Sequence, residues 1–163
     1  GYGVISAVKR AETGFNFALK YMRVKTNRFD KICATANQEI VVLKSIVRND
    51  FTVTMHFSFA TTKDIVLGLE LCSGGDLKYH VRKNGKFSEE LVKYHAARIS
   101  MAISFVHKSG FVHRDIKPAN ILLDDRGRSK LSDFGLAKPL LKGQVRRGIA
   151  GTVGYMAPEM LNK

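Results

Sequence analysis

Two hydrophobic periods divide the chain. Residues 4–10 (VISAVKR) and 15–22 (FNFALKYM) are β-rich runs separated by a Glu-Thr-Gly turn at 12–14, which predicts a hairpin. A helix is predicted over 35–46, with Ile40, Leu43 and Val47 on one face. Residues 52–59 (TVTMHFSF) and 64–72 (DIVLGLELC) read as two further strands, and Gly74-Gly75 then marks a bend. Beyond the bend, Ser88 followed by Glu89 and Glu90 has the form of an N-cap with acidic residues in the first turn. Leu91, Tyr94, Ile99, Ala102, Ile103 and Val106 follow at helical spacing, and Ser109-Gly110 ends the run. Residues 121–135 (ILLDDRGRSKLSDFG) predict two short strands around an Asp-Arg-Gly turn. The pattern implies an α+β fold in two parts, a strand-rich 1–72 and a helix-led 73–163.

Composition changes this picture little. The 163 residues, 45% of them hydrophobic, suffice for one domain with a real core. No run approaches the ~18 consecutive apolar residues that span a membrane. Cys33 and Cys72 have no metal or redox spacing and read as reduced thiols of a cytosolic protein. Against 14 Asp and Glu stand 27 Lys and Arg, a net charge of +13, which favours an anionic partner. The cations are scattered and not interleaved with aromatics as on a single-strand-binding surface, so no nucleic-acid partner is expected. The chain begins at Gly1 without methionine, which suggests a piece of a longer protein.

The chemistry is concentrated in HRDIKPANILL, with His113, Arg114, Asp115, Lys117 and Asn120, followed by DFG at Asp133 and APE at Ala157. Asp115 lies five residues before Asn120 and eighteen before Asp133, an order and spacing very unlikely by chance. On these motifs the whole chain resembles the eukaryotic protein kinases. The resemblance implies a bilobal fold, with an antiparallel-sheet first lobe at 1–72 and a mainly helical second lobe from 73 onward. It also implies ATP and Mg2+, with Asp115 accepting the proton of the incoming hydroxyl and Lys117 beside the transferred phosphate, as in serine/threonine kinases. Asn120 and Asp133 are the implied metal ligands. Their oxygens suit a hard cation, and phosphoryl transfer needs cations and tight positioning more than covalent help.

By the same resemblance, Lys20 contacts the α- and β-phosphates, and Glu39, nineteen residues later, is its helix partner. Asp30 is the rival carboxylate but lies before the predicted helix. Residues 70–72, with Glu70 and Cys72, form the hinge that meets the adenine, and Leu69 controls depth behind it. Asp76 is either a ribose ligand or a helix N-cap. Ile5, Ala18 and Leu122 sandwich the base, while Leu43, Met55, His113 and Phe134 form a second internal column. In the family the last loop glycine precedes the lysine by seventeen residues, which selects Gly3 and makes Tyr2 the loop-tip aromatic. The apparent G-x-G-x-x-S-x-V match at the start is therefore out of register, and the chain is expected to begin inside this loop.

The strings SGGDLKYHV, FSEELVKYHAARI, KPANILLDDRG and GTVGYMAPEML are most similar to the G-protein-coupled receptor kinases, the β-adrenergic-receptor kinase branch. DFG and HRD here stand where that branch usually has a leucine and a tyrosine, and both follow the general kinase pattern. Residues 136–150 (LAKPLLKGQVRRGIA) hold no Ser, Thr or Tyr, so no activating phosphate can pair Arg114 there. Thr152 is expected between Asp115 and Lys117. The resemblance implies a heptahelical receptor as substrate, activation by docking, and a cytoplasmic protein recruited to the anionic inner face of the plasma membrane. An active kinase of the related basophilic class with soluble substrates, or an inactive fragment serving as a scaffold, is the alternative. Kinases of this fold continue past APE, so 1–163 alone is expected to be truncated at both ends and poorly soluble.

Overall fold

The computed structural model describes residues 3–24, 29–140 and 150–161. Strands β1 (Val4–Lys9) and β2 (Asn16–Arg23) form the predicted hairpin, in register from Val4–Tyr21 to Lys9–Asn16. The turn closes through Arg10, whose N–H donates to Phe15 O and whose O accepts from Gly14 N–H, both at 2.8 Å. Gly14 sits at φ 70°, a region that costs a residue with a Cβ. Strands β3 (Met55–Ala60) and β4 (Asp64–Glu70) complete an antiparallel sheet of order β1-β2-β4-β3.

Helix α1 runs over Phe29–Ser45, starting six residues earlier than predicted. Asp30 is thus inside the helix, in its first turn, where a carboxylate suits the helix dipole. It is exposed, whereas Ala36, Glu39 and Val42 form the buried stripe. Nine residues at 100° each place Asp30 and Glu39 on opposite sides. Ile40 and Leu43 are partly buried as expected, but Val47 lies beyond the helix and is exposed, and Ile46 takes the core position.

In the second part, Asp76 caps α2 (Leu77–Asn84) and Ser88 caps α3 (Glu89–Lys108). The buried stripe of α3 is His95, Ile99, Ala102 and Val106. Leu91 and Tyr94, expected on that face, are exposed: Tyr94 is turned about 100° from His95, and Leu91 lies in the first turn beyond the packed length. Two small ladders follow, β5 (Phe111–Val112) with β8 (Lys138–Pro139) and β6 (Ile121–Leu123) with β7 (Ser129–Leu131). A short helix, α4 (Pro158–Leu161), ends the described residues.

The two parts are joined through β7. Besides β6, it bonds to the segment before β3: Val53 N–H donates to Leu131 O at 2.9 Å, and Leu131 N–H to Phe51 O at 2.8 Å. Arg98 of α3 clamps this seam, donating to Asp50 O at 2.6 Å and Ser129 O at 3.1 Å with its guanidinium over the Phe51 ring. The larger core mixes Val42 of α1 and Ile46, just after it, with Ile99, Val106, Leu131 and Phe134, so apolar packing crosses the same seam. Among the described residues, no helix is long and apolar enough to cross a membrane.

Candidate active site

A cavity of about 330 Å³ lies where β1, β2 and β4 face β6 and the residues that follow β7. Its mainly apolar wall includes Ile5, Ala18, Leu69, Cys72 and Leu122, which suits a flat heterocycle. At its other end stand Lys20, Glu39, Asn120 and Asp133. Alternation along β2 puts Ala18 and Lys20 on one face about 7 Å apart, so one strand serves both ends. Gly3 also lines the cavity. A Cβ there would lie 2.7 Å from Tyr21 O, so only glycine lets this segment close over β2. Tyr2 lies outside the described residues.

The polar end is built around Lys20, whose Nζ donates to both oxygens of Glu39 at 2.7 and 2.9 Å and to Asp133 Oδ1 at 3.0 Å. Burial works against the ammonium, but the carboxylates of Glu39 and Asp133 outweigh it and hold its pKa above the ordinary value. Burial likewise pushes Glu39 up, with Lys20 opposing and Asp133 adding. The two shifts pull the pair in opposite directions. With both carboxylate oxygens within 2.9 Å of the ammonium, the geometry favours the ionised pair at neutral pH. Asp133 also resists burial, held below the ordinary carboxylate range chiefly by Lys20.

Asp115 is surrounded by donors. Lys117 Nζ donates to Oδ2 at 2.7 Å, Thr152 Oγ1 to Oδ1 at 2.8 Å, and Asn120 Nδ2 to Oδ2 at 3.0 Å and to the backbone O at 2.9 Å. Burial would raise its pKa, but these bonds outweigh it and keep the carboxylate ionised. Thr152 also accepts from Lys117 Nζ at 2.7 Å, which places it between Asp115 and Lys117. The approach depends on Gly151, at φ 118°, where a Cβ would meet Arg114 O at 2.6 Å. His113 supports the loop from below. Its Nδ1 accepts the Asp115 N–H at 3.2 Å, so Nε2 carries the proton and donates to Ser132 O at 2.9 Å. The His113 and Phe134 rings meet edge to face at 5.0 Å. Leu43 packs against both core clusters and Met55 against the smaller, so the second column is contiguous with the core.

A carboxylate among donors, a lysine facing two acids and an apolar cavity now stand in one cleft. The family described as "Protein kinase domain" matches residues 1–163. The chain belongs to the protein kinase family. This kinase chain is 36% identical to serine/threonine-protein kinase sck2 of Schizosaccharomyces pombe, over 98% of this chain and 25% of that protein. It is 37% identical to beta-adrenergic receptor kinase 1 of Homo sapiens, over 100% of this chain and 24% of that protein. The chain therefore spans about a quarter of the length of these relatives. Its kinase domain places it with the serine/threonine kinases and implies ATP and a divalent metal ion.

The residues fit that requirement. The cavity is apolar where a base would lie and cationic at Lys20, and Asn120 and Asp133 offer hard oxygen donors beside it. Among the described residues no group of three His, Cys, Asp or Glu could hold a metal alone, so an ion here would complete its shell with phosphate oxygens and water.

Of the site residues expected from sequence, Asp76 is the one placed apart. Its Oδ1 accepts the Tyr79 N–H at 2.8 Å as the cap of α2, and it is not part of the cavity wall, although its backbone bridges to Leu122. Sequence reasoning passed over Lys130, which pairs with Glu70 at 2.8 Å. A lysine in a short strand reads as exposed, and only the contact with Glu70 distinguishes it.

Proposed function

We propose that this chain is the catalytic core of a protein serine/threonine kinase that transfers the γ-phosphate of Mg-ATP to hydroxyls of an activated heptahelical receptor. The observation that carries the transfer chemistry is Asp115, ionised and held by Lys117, Thr152 and Asn120. In this reading the substrate oxygen attacks the γ-phosphorus, the bond to the ADP oxygen breaks, and the hydroxyl proton passes to Asp115. Lys20 would offset the phosphate charge, Asn120 and Asp133 would hold Mg2+, and Lys117 would neutralise the transferred group. The base would lie between Ala18 and Leu122, against the backbone of residues 70–72.

The receptor substrate rests on the 37% identity to beta-adrenergic receptor kinase 1 and on the hydroxyl-free 136–150. Docking would then replace phosphorylation as the activating event, at the cytoplasmic face of the plasma membrane, where the net charge of +13 suits anionic lipid. The test uses the full-length protein with Mg-ATP and three substrates: agonist-occupied receptor in anionic vesicles, unoccupied receptor, and soluble basic peptides. Transfer confined to the occupied receptor supports the reading. Equal or better transfer to the basic peptides assigns a soluble basophilic kinase instead. No transfer to any substrate removes the enzymatic reading.

A further inference from the structure

The site above does not use the buried lysine of β7. Lys130 has a side-chain exposure of 5%, and among the described residues it forms one ion pair, with Glu70 at 2.8 Å, the last residue of β4. The other Glu70 oxygen accepts the Thr54 N–H at 3.2 Å, and the Glu70 N–H donates to Thr54 O at 2.8 Å. Glu70 is thus held on three sides where the sheet passes into the segment connecting the two parts.

The far end of the pair is equally fixed. Lys130 sits opposite Leu122 in the β6–β7 ladder, so both side chains leave the same face, and Leu122 is a cavity wall. Strand β7 is bonded on both edges, to β6 through the ladder and, through Leu131, to Phe51 and Val53. Three residues after Lys130 comes Asp133, which pairs with Lys20 of the sheet. A single short run therefore carries two ion pairs to the sheet, one at each end of the cavity. A buried ammonium is costly unless paired, and an apolar residue of similar length would fill the same space. What the ion pair adds is directional control over where residues 70–72 sit relative to Leu122.

We propose that Lys130 is a positioning residue that sets the width of the base-binding end of the cavity by anchoring Glu70. This rests on the nucleotide reading given above. The effect is specific to nucleotide affinity, because Asp115 and its donors are bonded independently of the Lys130–Glu70 pair.

The test compares full-length wild type with Lys130→Met and Lys130→Arg, measuring ADP binding by calorimetry and KM for ATP and kcat in phosphotransfer. Lys130→Met should raise the ADP Kd and the KM for ATP about tenfold, with kcat within about twofold, and Lys130→Arg should restore most of the affinity. Glu70→Gln should weaken ADP binding similarly, and the double variant Lys130→Met/Glu70→Gln should be no worse than either alone. A kcat loss at unchanged KM, unchanged ADP affinity, or additive losses in the double variant would each overturn the proposal. If Lys130→Met fails to fold, ADP affinity is read from Lys130→Arg, expected near wild type, and from Glu70→Gln, expected to be weakened, and wild-type affinity in Glu70→Gln overturns the proposal. Wild type that binds no ADP removes the nucleotide reading itself, a result separate from any difference among variants.

Discussion

Glu39 and Asp115 are both buried carboxylates with a lysine at 2.7 Å, yet their acidities move in opposite directions. Glu39 receives hydrogen bonds from one ammonium and feels the neighbouring Asp133, so burial prevails and its pKa rises. Asp115 receives bonds from Lys117, Thr152 and Asn120, and its pKa falls. A buried carboxylate stays ionised according to how many donors it keeps. The α1 carboxylate thus depends on a single contact made across the sheet. The loop carboxylate is held by three separate donors, Lys117, Asn120 and Thr152.

The largest test of this contrast is Asp115→Asn in the full-length protein, which should reduce phosphotransfer by about 100- to 10,000-fold in a radiometric assay. Nucleotide binding should persist, since Asp115 does not line the main cavity. Glu39→Gln, which keeps one acceptor for Lys20, should lose less activity, and an equal loss would erase the distinction between the two sites.

Next in size is Lys20→Met, which leaves Glu39 buried without its cation and should cost about 3–5 kcal/mol in chemical denaturation at pH 7. Because the folded-state pKa of Glu39 is raised, its favourable contribution is present below 4.5 and lost as pH rises through the folded value. The penalty should therefore shrink on acidification toward pH 5. Asp115 has the opposite sign: its contribution is present above 3.8 and lost as pH falls through its depressed value. Acidification should not relieve any penalty of Lys117→Met, and a parallel relief in both variants would contradict the comparison.

A smaller effect concerns His113, whose pKa burial lowers from 6.5 despite the Ser132 carbonyl and nearby carboxylates. Its stabilising contribution is present above 6.5 and lost as pH falls through the depressed value. Nitrogen-detected NMR of the imidazole should show the Nε2–H tautomer at pH 7 and a midpoint below 6.5. A midpoint above that value would mean that the neutral ring does not support Asp115. The smallest effect is at Cys72, where burial and Glu70 push the thiol up to about 12, so alkylation by iodoacetamide at pH 7.5, roughly four to five pH units below, should be slow. Rapid labelling would show the hinge to be more open than described.

Much of this site is legible in the chain because its parts are close in sequence. Residues 113–120 carry Asp115, Lys117 and Asn120 in one loop, so their spacing alone predicts the cluster. The hairpin is equally local, with turn chemistry at 12–14 and alternation on both sides. What sequence misjudges depends on distant partners. The start of α1 carries no clear capping signal, so the sequence alone puts Asp30 outside the helix. Tyr94 and His95 are neighbours whose burial depends on which side of α3 meets the rest of the core. Lys130 is informative only because Glu70, sixty residues earlier, ends β4 beside it.

The seam at β7 has a consequence in time. Leu131 follows its partner Val53 by 78 residues (from 53 to 131). At roughly 5–20 residues per second, a ribosome needs about 4 to 16 s to deliver β7 after residue 53 has been added. During that interval the sheet can close its own ladders, but the N–H of Val53 and the carbonyl of Phe51 have no β7 to meet. The nascent chain therefore carries an incomplete edge for seconds, and this edge is a natural place for a chaperone to bind or for two nascent chains to stick together.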